Sequence, residues 1–378
     1  MEKLLLIPGP SPVHPRILDA LAAPTIAHTS PEMAADMTAA LDGLRTIVSS
    51  AAGEAFIITG AGTLSMEVAI LNVAGPGDRV LILSQGYFGD RMEQICRSFG
   101  IAHDVLRAPW GSAIAPEALA VRLRETRADI VSVTHVDTST GACAPVEAYG
   151  RVLKESGILY IVDGVCATGG IDERMDEWGI DIVLTAAQKA FGAPPGLAIC
   201  VFSERAVGKR KSLPSVPAYY SDILRWLPIM KDPKKYFSTH GVNEIRAFAE
   251  AVKMMLEEGM PARFARHQRT ARAFRSALAA LKFSMFTETL YLADTISVPV
   301  YPAGVDDAAF RTVLGRNGVV VAGGLAETAG KLFRLGHMGN LSRDQVLFAV
   351  EAVEKTLAEL SYPFAAGSAV AAARAELG

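Results

Sequence analysis

The sequence predicts an α/β fold: a large domain built on a mostly parallel sheet, followed by a smaller α+β domain. Three observations lead there. Between about residues 55 and 203, short apolar runs alternate with helix-period segments, the pattern of strands covered on both faces by crossover helices. Past about residue 240 the texture changes to long helical periodicity followed by short strand-like runs, the order of a mixed second domain. The chain also has 378 residues and 50% apolar content, more than one hydrophobic core usually organises.

The strand-like runs are FIIT (56 to 59), RVLILS (79 to 84), ADIVSVTH (128 to 135), ILYIVDGV (158 to 165), IDIVLTA (180 to 186) and LAICVFS (197 to 203). Segments 64 to 74, 89 to 99, 115 to 127 and 145 to 156 are long enough to be the crossover helices between them. In such sheets ligands gather outside the carboxyl ends of the strands, so the residues just after each run are read for function first. Residues 243 to 281 carry the long helical periodicity, TISVPV, GVVVAGG and KLFRLG follow, and a last helix is expected near 342 to 360. The expected division is an N-terminal arm over 1 to 16, a large domain over 17 to 250 and a small one over 251 to 378. The Ala-rich tail PFAAGSAVAAARAELG is only weakly amphipathic and reads as an extra surface helix or a frayed end.

Charge and cysteine content narrow the function classes. The net charge of -3 arises from 37 basic and 40 acidic residues mixed along the chain. No run of like charge could track nucleic acid or an anionic membrane, so a small-molecule or protein partner is expected. Cys96, Cys143, Cys166 and Cys200 are far apart with no C-x-x-C pair, which argues against a disulfide framework and against a zinc or other metal site. The opening MEKLLLIPGPSP is too short for a signal segment, and no stretch reaches membrane-spanning length. A cytoplasmic protein is the expectation.

The chemistry-bearing residues lie where the strand runs end. Asp163 closes ILYIVD and is followed by small residues, placing a carboxylate at the ligand edge. Such a carboxylate can keep a pyridine nitrogen protonated, so that the ring accepts electrons from a carbanion. On its own it could equally cap a helix or a turn. The next run ends in AQKAFGAPPG and puts Lys189 at the neighbouring strand's edge among apolar and small residues. There the amine is poorly solvated and could form an imine and then shuttle a proton. FIITGAGTLSMEVAI reads as strand, glycine turn and helix, offering Gly60, Ala61, Gly62 and Thr63 to a phosphate. It lacks the third glycine of a dinucleotide fingerprint and the G-K-S/T of a nucleotide phosphate loop. Phe88, after RVLILS, could stack on a pyridine face or simply pack.

Taken in order, GAGT (60 to 63), GYFGDR (86 to 91), THVDTSTG (134 to 141), VDGV (162 to 165), AQKAFGAPPG (187 to 196) and KLFRLGHMG (331 to 339) resemble the class V aminotransferases. The resemblance is to the alanine–glyoxylate and serine–glyoxylate (or pyruvate) branch. It runs from LLLIPGPSPV at residues 4 to 13 to at least residue 357, and its most specific elements are the N-terminal PGP, Q-K-A followed by PPG, and the R-x-G of the small domain. It implies fold type I architecture with a seven-stranded type of sheet, pyridoxal 5′-phosphate (PLP) as cofactor, and a homodimer with shared active sites.

Position by position, the resemblance implies that Lys189 carries PLP as a Schiff base, Asp163 holds the ring nitrogen, Val165 faces one side of the ring and Phe88 the other. Many relatives have tryptophan where this chain has Phe88. Ala61, Gly62, Thr63 and Gln188 match phosphate-binding positions, and Thr138 matches a hydroxyl beside the phenolic oxygen. Tyr236 and Thr239 match residues that reach the neighbouring subunit's cofactor, although this chain has THG where many relatives have T-x-P. Arg334 matches the substrate-carboxylate arginine, a role suited to a bidentate guanidinium. Pro8, Gly9 and Pro10 are expected to line the substrate end, and His337 to reach the pocket of Arg334. His135 is expected as a buried, hydrogen-bonded histidine.

The resulting expectation is a ping-pong aminotransferase that moves an amino group from a small donor of the alanine or serine type to glyoxylate or pyruvate. The HVDTSTG and RLGHMG segments also resemble pyridoxamine–pyruvate aminotransferase, so that donor, like an aminophosphonate, stays open. A PLP-dependent lyase of the desulfurase type would need a loop cysteine, yet none follows Cys200. A non-catalytic PLP-binding module fits poorly with a chain that keeps Lys189, Asp163 and Arg334 together.

Overall fold

The computed structural model describes residues 3–378. A short strand, Leu4–Leu5 (β1), opens an arm that runs through Ser11 into two helices, Pro15–Ala22 (α1) and Pro31–Ile47 (α2). Ser30 begins α2 by accepting a hydrogen bond from Met33 N, which satisfies one of the free amides of the first turn.

Each apolar run then becomes a strand. In chain order these are Glu54–Thr59 (β2), Arg79–Ser84 (β3), Ile130–Thr134 (β5), Leu159–Asp163 (β6), Ile182–Ala186 (β7) and Leu197–Phe202 (β8), while Ala102–Arg107 (β4) forms without such a run. The helices between them are Gly62–Leu71 (α3), Tyr87–Ser98 (α4), Pro116–Glu125 (α5) and Val146–Leu153 (α6). The seven strands lie in the order β2-β8-β7-β6-β5-β3-β4. All neighbours are parallel except β8, which is antiparallel to both β2 and β7. β5, β6, β7 and β8 are buried at every residue, as a sheet covered on both faces requires. β4 escapes the apolar-run rule because it is an edge strand, half exposed and paired only with β3.

After β8 come Glu204–Ser212 (α7), Ile223–Lys231 (α8), Val242–Glu258 (α9) and Met260–Ala280 (α10). The second half continues with Ser284–Met285 (β9), Ile296–Ser297 (β10), Pro299–Val300 (β11), Asp307–Arg316 (α11), Val319–Val320 (β12), Ala322–Gly323 (β13), Phe333–Gly336 (β14), Arg343–Glu359 (α12) and Ser368–Leu377 (α13). The first hydrophobic core draws on side chains from Ile17 to Met255. A second core takes residues from Ala273 to Ala373 together with Leu6 of the arm. We place the division of the chain at Gly259, which joins α9 to α10 with a φ of +81°. The Ala-rich tail is an ordered helix. Ala369 and Ala373 of α13 are fully buried, and Glu376 accepts hydrogen bonds from Arg272 and Ser276 of α10. Among the described residues no helix is long and apolar enough to cross a membrane.

The arm ties these parts together. β1 pairs in parallel with β12, Gly336 N donates to Leu6 O at 2.8 Å, and Ser11 N donates to Gln188 O at 3.0 Å. Gly336 can sit there only because it has no side chain: a Cβ would come within 2.3 Å of Ile7 O and 2.9 Å of Pro8 Cα. Gly336→Ala should therefore push the arm off β14 and lower unfolding stability by roughly 1–3 kcal/mol, the usual range for overpacking. Chemical denaturation measures this, and a wild-type midpoint would show that the arm is not seated against β14 in solution.

Candidate active site

Parallel β6 and β7 end side by side, with Asp163 opposite Leu184, so Asp163 and Lys189 arrive at the same sheet edge. The arm closes over the lysine. Lys189 Nζ donates to Pro8 O, and Ser11 Oγ donates to Lys189 O at 2.7 Å. Gly9, at a φ of +99°, leaves room for this contact, since a Cβ there would lie 2.5 Å from Lys189 Cδ. Burial disfavours the ammonium form and lowers the pKa of Lys189. A cavity of about 170 Å³ opens in front of Asp163 and Lys189. It is also lined by Ala61, Gly62, Thr63, Phe88, Thr138, Val165 and Gln188.

Asp163 is 3% exposed. Its Oδ1 accepts from Val165 N at 3.0 Å, and among the described residues no cation forms an ion pair with it. Burial is the main cause of a pKa raised to about 7, with the nearby carboxylates Asp137 and Glu173 adding to the rise. Glu173 is itself engaged, accepting from Thr168 Oγ1 at 2.6 Å and lying 2.7 Å from His135 Nδ1. His135 is thus the buried, hydrogen-bonded histidine expected from the sequence.

Two helices present their N-termini near the cavity, and they differ in one respect. At α4 the position is taken by a carboxylate of the chain: Asp137 Oδ2 accepts from Phe88 N at 2.9 Å and Gly89 N at 3.4 Å. At α3 the N-cap is Ala61, and no side chain caps the helix. The α3 end is therefore the one left for an external anion. Gly62 brings it close to the sheet, where a Cβ would stand 3.1 Å from Ala186 Cβ. Gln188 adds a buried Oε1 without a protein partner. On the other side, Arg334 Nε donates to Gly323 O at 2.8 Å and Nη1 reaches Thr138 O at 3.4 Å. No carboxylate among the described residues pairs with it, and burial lowers its pKa against the field of Asp137.

Of the residues singled out from the sequence, the cavity gathers the whole set assigned to the cofactor within one chain, with Pro8 and Gly9 against Lys189 and Arg334 behind Thr138. His337 is a correction. It lies three residues from Arg334, and strand side chains alternate, so the two point to opposite faces. The imidazole is 1% exposed, lies 3.0 Å from Ser297 Oγ and stacks on Phe274. Burial drives its pKa well down, which makes it a neutral core histidine rather than a pocket residue. Tyr236 and Thr239 do not line this chain's cavity, and both are exposed. The sequence reading missed Met66, Arg91, Thr134, Val136 and Cys166, which also line it. Thr134, Val136 and Cys166 follow the ends of β5 and β6, so the rule that found Asp163 could have found them. Arg91 sits in the GYFGDR motif from which only Phe88 had been drawn.

The residues fit PLP on three counts. The buried Asp163 carboxylate lacks a cation that a protonated ring nitrogen would supply. The open α3 end, with Gln188 beside it, borders a space suited to a phosphate and its surrounding hydrogen bonds. Lys189, whose ammonium form burial disfavours, faces the same cavity, where it could attach the cofactor covalently.

Residues 10–342 match the family described as aminotransferase class-V. The chain is 33% identical to the L-aspartate–glyoxylate aminotransferase of Paracoccus denitrificans, over 98% of this chain and 95% of that one. It is 34% identical to alanine–glyoxylate aminotransferase 1 of Saccharomyces cerevisiae, over 89% and 91%. The crystal structure of ureidoglycine–glyoxylate aminotransferase from Bacillus subtilis superposes with a TM-score of 0.96 at 27% identity, covering 100% of this chain and 98% of that one.

The state of Asp163 has a measurable consequence in protein stripped of cofactor. Its folded pKa is raised from 3.8 to about 7, so the carboxyl's contribution to stability is fully present below about 3.8 and is lost as the pH rises from there through about 7. Asp163→Asn removes this loss. The variant apoprotein should melt higher than the wild-type apoprotein at pH 8, with the gap narrowing toward pH 5. A variant that melts lower at pH 8 would mean that a cation of the protein already compensates the carboxylate.

Proposed function

The chain belongs to the class V aminotransferases, and we propose that it moves the amino group of a small donor, of the alanine or serine type, to glyoxylate or pyruvate in two successive half-reactions at one site. Its cofactor is PLP and its substrates are an amino donor and a 2-oxo acid. The observation that carries the finer reading is the Arg334 guanidinium. It stands beside Thr138 at the cavity with only carbonyl partners, as a residue kept for a substrate carboxylate would. The relatives named above share glyoxylate and differ in donor, which supports the acceptor more closely than any one donor.

Bound in the cavity, PLP supplies an electron sink for the bond-breaking at the substrate's α-carbon. The chain's own residues do the rest. Asp163 would hold the proton on the ring nitrogen. Val165 and Phe88 would flank the ring, and Thr138 would offer its hydroxyl to it. Lys189 Nζ would anchor the cofactor and, once released by the donor's amine, would be the base that takes the α-proton and delivers it to the cofactor carbon on the other side of the imine nitrogen. Its lowered pKa suits that role, because burial favours the neutral amine that a base must be. Arg334 orients the carboxylate of donor and acceptor alike by a two-point hydrogen bond, and the arm at Pro8 and Gly9 keeps bulk water from the lysine. We include a homodimer in this proposal. Tyr236 and Thr239 are exposed, and so are Ala61 and Thr63 at the phosphate end of the cavity, as expected if each subunit completes its neighbour's site.

Two substitutions test the assignment. Lys189→Ala should abolish the cofactor adduct that borohydride fixes to the protein and lower kcat/KM by about a thousandfold or more, equivalent to roughly 4 kcal/mol. A normal adduct on another lysine would sink it. Arg334→Lys keeps the charge and loses the fork. It should lower kcat/KM for glyoxylate and pyruvate by about tenfold to a few hundredfold, roughly 1.4–3.5 kcal/mol, with PLP affinity and melting temperature little changed. Unchanged kinetics with lower stability would make Arg334 a structural residue.

A further inference from the structure

Arg91 is the one charged residue lining the cavity that has no part in the chemistry assigned to Asp163 and Lys189. The lining holds three charged side chains, Asp163, Lys189 and Arg91, and the first two serve the ring. Arg91 projects from the first turns of α4, and its Nη1 reaches Thr63 Oγ1 at 3.4 Å. Thr63 lies in the first turn of α3, at the uncapped N-terminus. The guanidinium is braced over two aromatic rings, with its carbon 4.7 Å from the Phe88 centroid and 5.3 Å from that of Tyr87, a geometry that restricts it without neutralising it.

The acids that could have paired with Arg91 are engaged elsewhere. Asp90 accepts from Ser84 Oγ at 2.8 Å and from Arg107 Nε at 3.3 Å. Glu93 pairs with Arg97 and Arg107. Asp137, which sits under the start of α4, is taken up by Ser139 and by the amides of Phe88 and Gly89. No carboxylate among the described residues pairs with Arg91. A cation left in this condition beside an open helix N-terminus can share a single anion with it. The other groups assigned to the phosphate, at Ala61, Gly62, Thr63 and Gln188, are all neutral, whereas a phosphate ester carries close to two negative charges.

We propose that Arg91 is the cationic member of the cofactor's phosphate site, binding the phosphate directly and orienting the Thr63 hydroxyl toward it. The proposal rests on the cofactor placement given above. The two arginines of the site then have separate roles, Arg91 serving the phosphate at the α3 end and Arg334 the substrate carboxylate. Guanidinium suits the phosphate because its donors are spread in a plane that matches two oxygens at once.

The experiment is a cofactor titration of apoprotein in wild type, Arg91→Lys and Arg91→Gln, followed by absorbance of the lysine-bound chromophore. PLP and pyridoxal, which lacks the phosphate, are the two probes. Arg91→Gln should weaken PLP about tenfold to a few hundredfold while pyridoxal binds as in the wild type, and Arg91→Lys should recover part of the loss. Added salt should weaken PLP binding more in the wild type than in Arg91→Gln, because a charge contact is screened. Equal weakening of both probes would assign Arg91 to the ring through Phe88 and overturn the proposal. So would unchanged PLP affinity with a raised KM for a dicarboxylic donor, which would make Arg91 a substrate residue. Wild-type protein that forms no adduct on Lys189 would overturn the cofactor placement itself, and Arg91 with it.

Discussion

The seating of the arm on the lysine turn is the contact on which the rest of the site depends. Residues 7 to 11 lie between the end of β14 and the turn that follows β7. On one side Gly336 lets the backbone of Ile7 and Pro8 approach, and on the other Pro8 O and Ser11 hold the side chain and carbonyl of Lys189. Through this strip of backbone the second core touches the reactive amine of the first. Arg263 reinforces it from behind, donating to Gly169 O and Ala190 O and to Asn340 Oδ1 while paired with Glu258. A guanidinium that is 1% exposed needs all of its donors satisfied, so these segments are fixed together or not at all.

Charge is distributed around the cavity in a way that a protein serving only its own stability would avoid. Among the described residues Asp163, Arg91 and Arg334 form no ion pair, and Gln188 Oε1 accepts no hydrogen bond. Elsewhere the same chain neutralises its buried ions with care: Arg210 meets Asp222 in a two-point pair, and His135 meets Glu173. An ion held out of water without a partner costs stability. The uncompensated groups are concentrated around the carboxyl edge of the sheet, where PLP and a substrate carboxylate, placed as proposed, would bring the missing charges. The difference between the two helix ends follows the same logic, since Asp137 saturates α4 and leaves α3 as the single open N-terminus of the pair.

Most of the large domain was legible because a fully covered parallel sheet needs continuous apolar strands, and six such runs stand out in the sequence. β4 was not legible, since an edge strand with one neighbour tolerates polar residues such as His103 and Asp104 that interrupt an apolar run. The tail helix α13 was undecided for a related reason: alanines bury little area each, and only the surface of α10 determines that Ala369 and Ala373 are covered. His337 shows the cost of reading proximity along a chain as proximity in space. It lies three positions from Arg334, an odd offset that turns one side chain toward the cleft and the other into the core with Phe274.

The sequence by itself determined the fold class, the family resemblance and the two residues proposed as the centre of the chemistry, because Asp163 ends one apolar run, Lys189 follows the next, and the sheet's own geometry carries strand ends to one edge. Tertiary structure alone decided how the groups around them are shared out. That Arg91 leans from α4 to the start of α3, that Asp137 occupies one helix end and not the other, and that Pro8 rather than a side chain meets Lys189 depend on contacts between segments 28 to 181 residues apart. Local pattern fixes which elements form and which side of each faces the core. The partner that a charged side chain finds is set by packing, since its energy depends on burial and distance rather than on its neighbours in the chain.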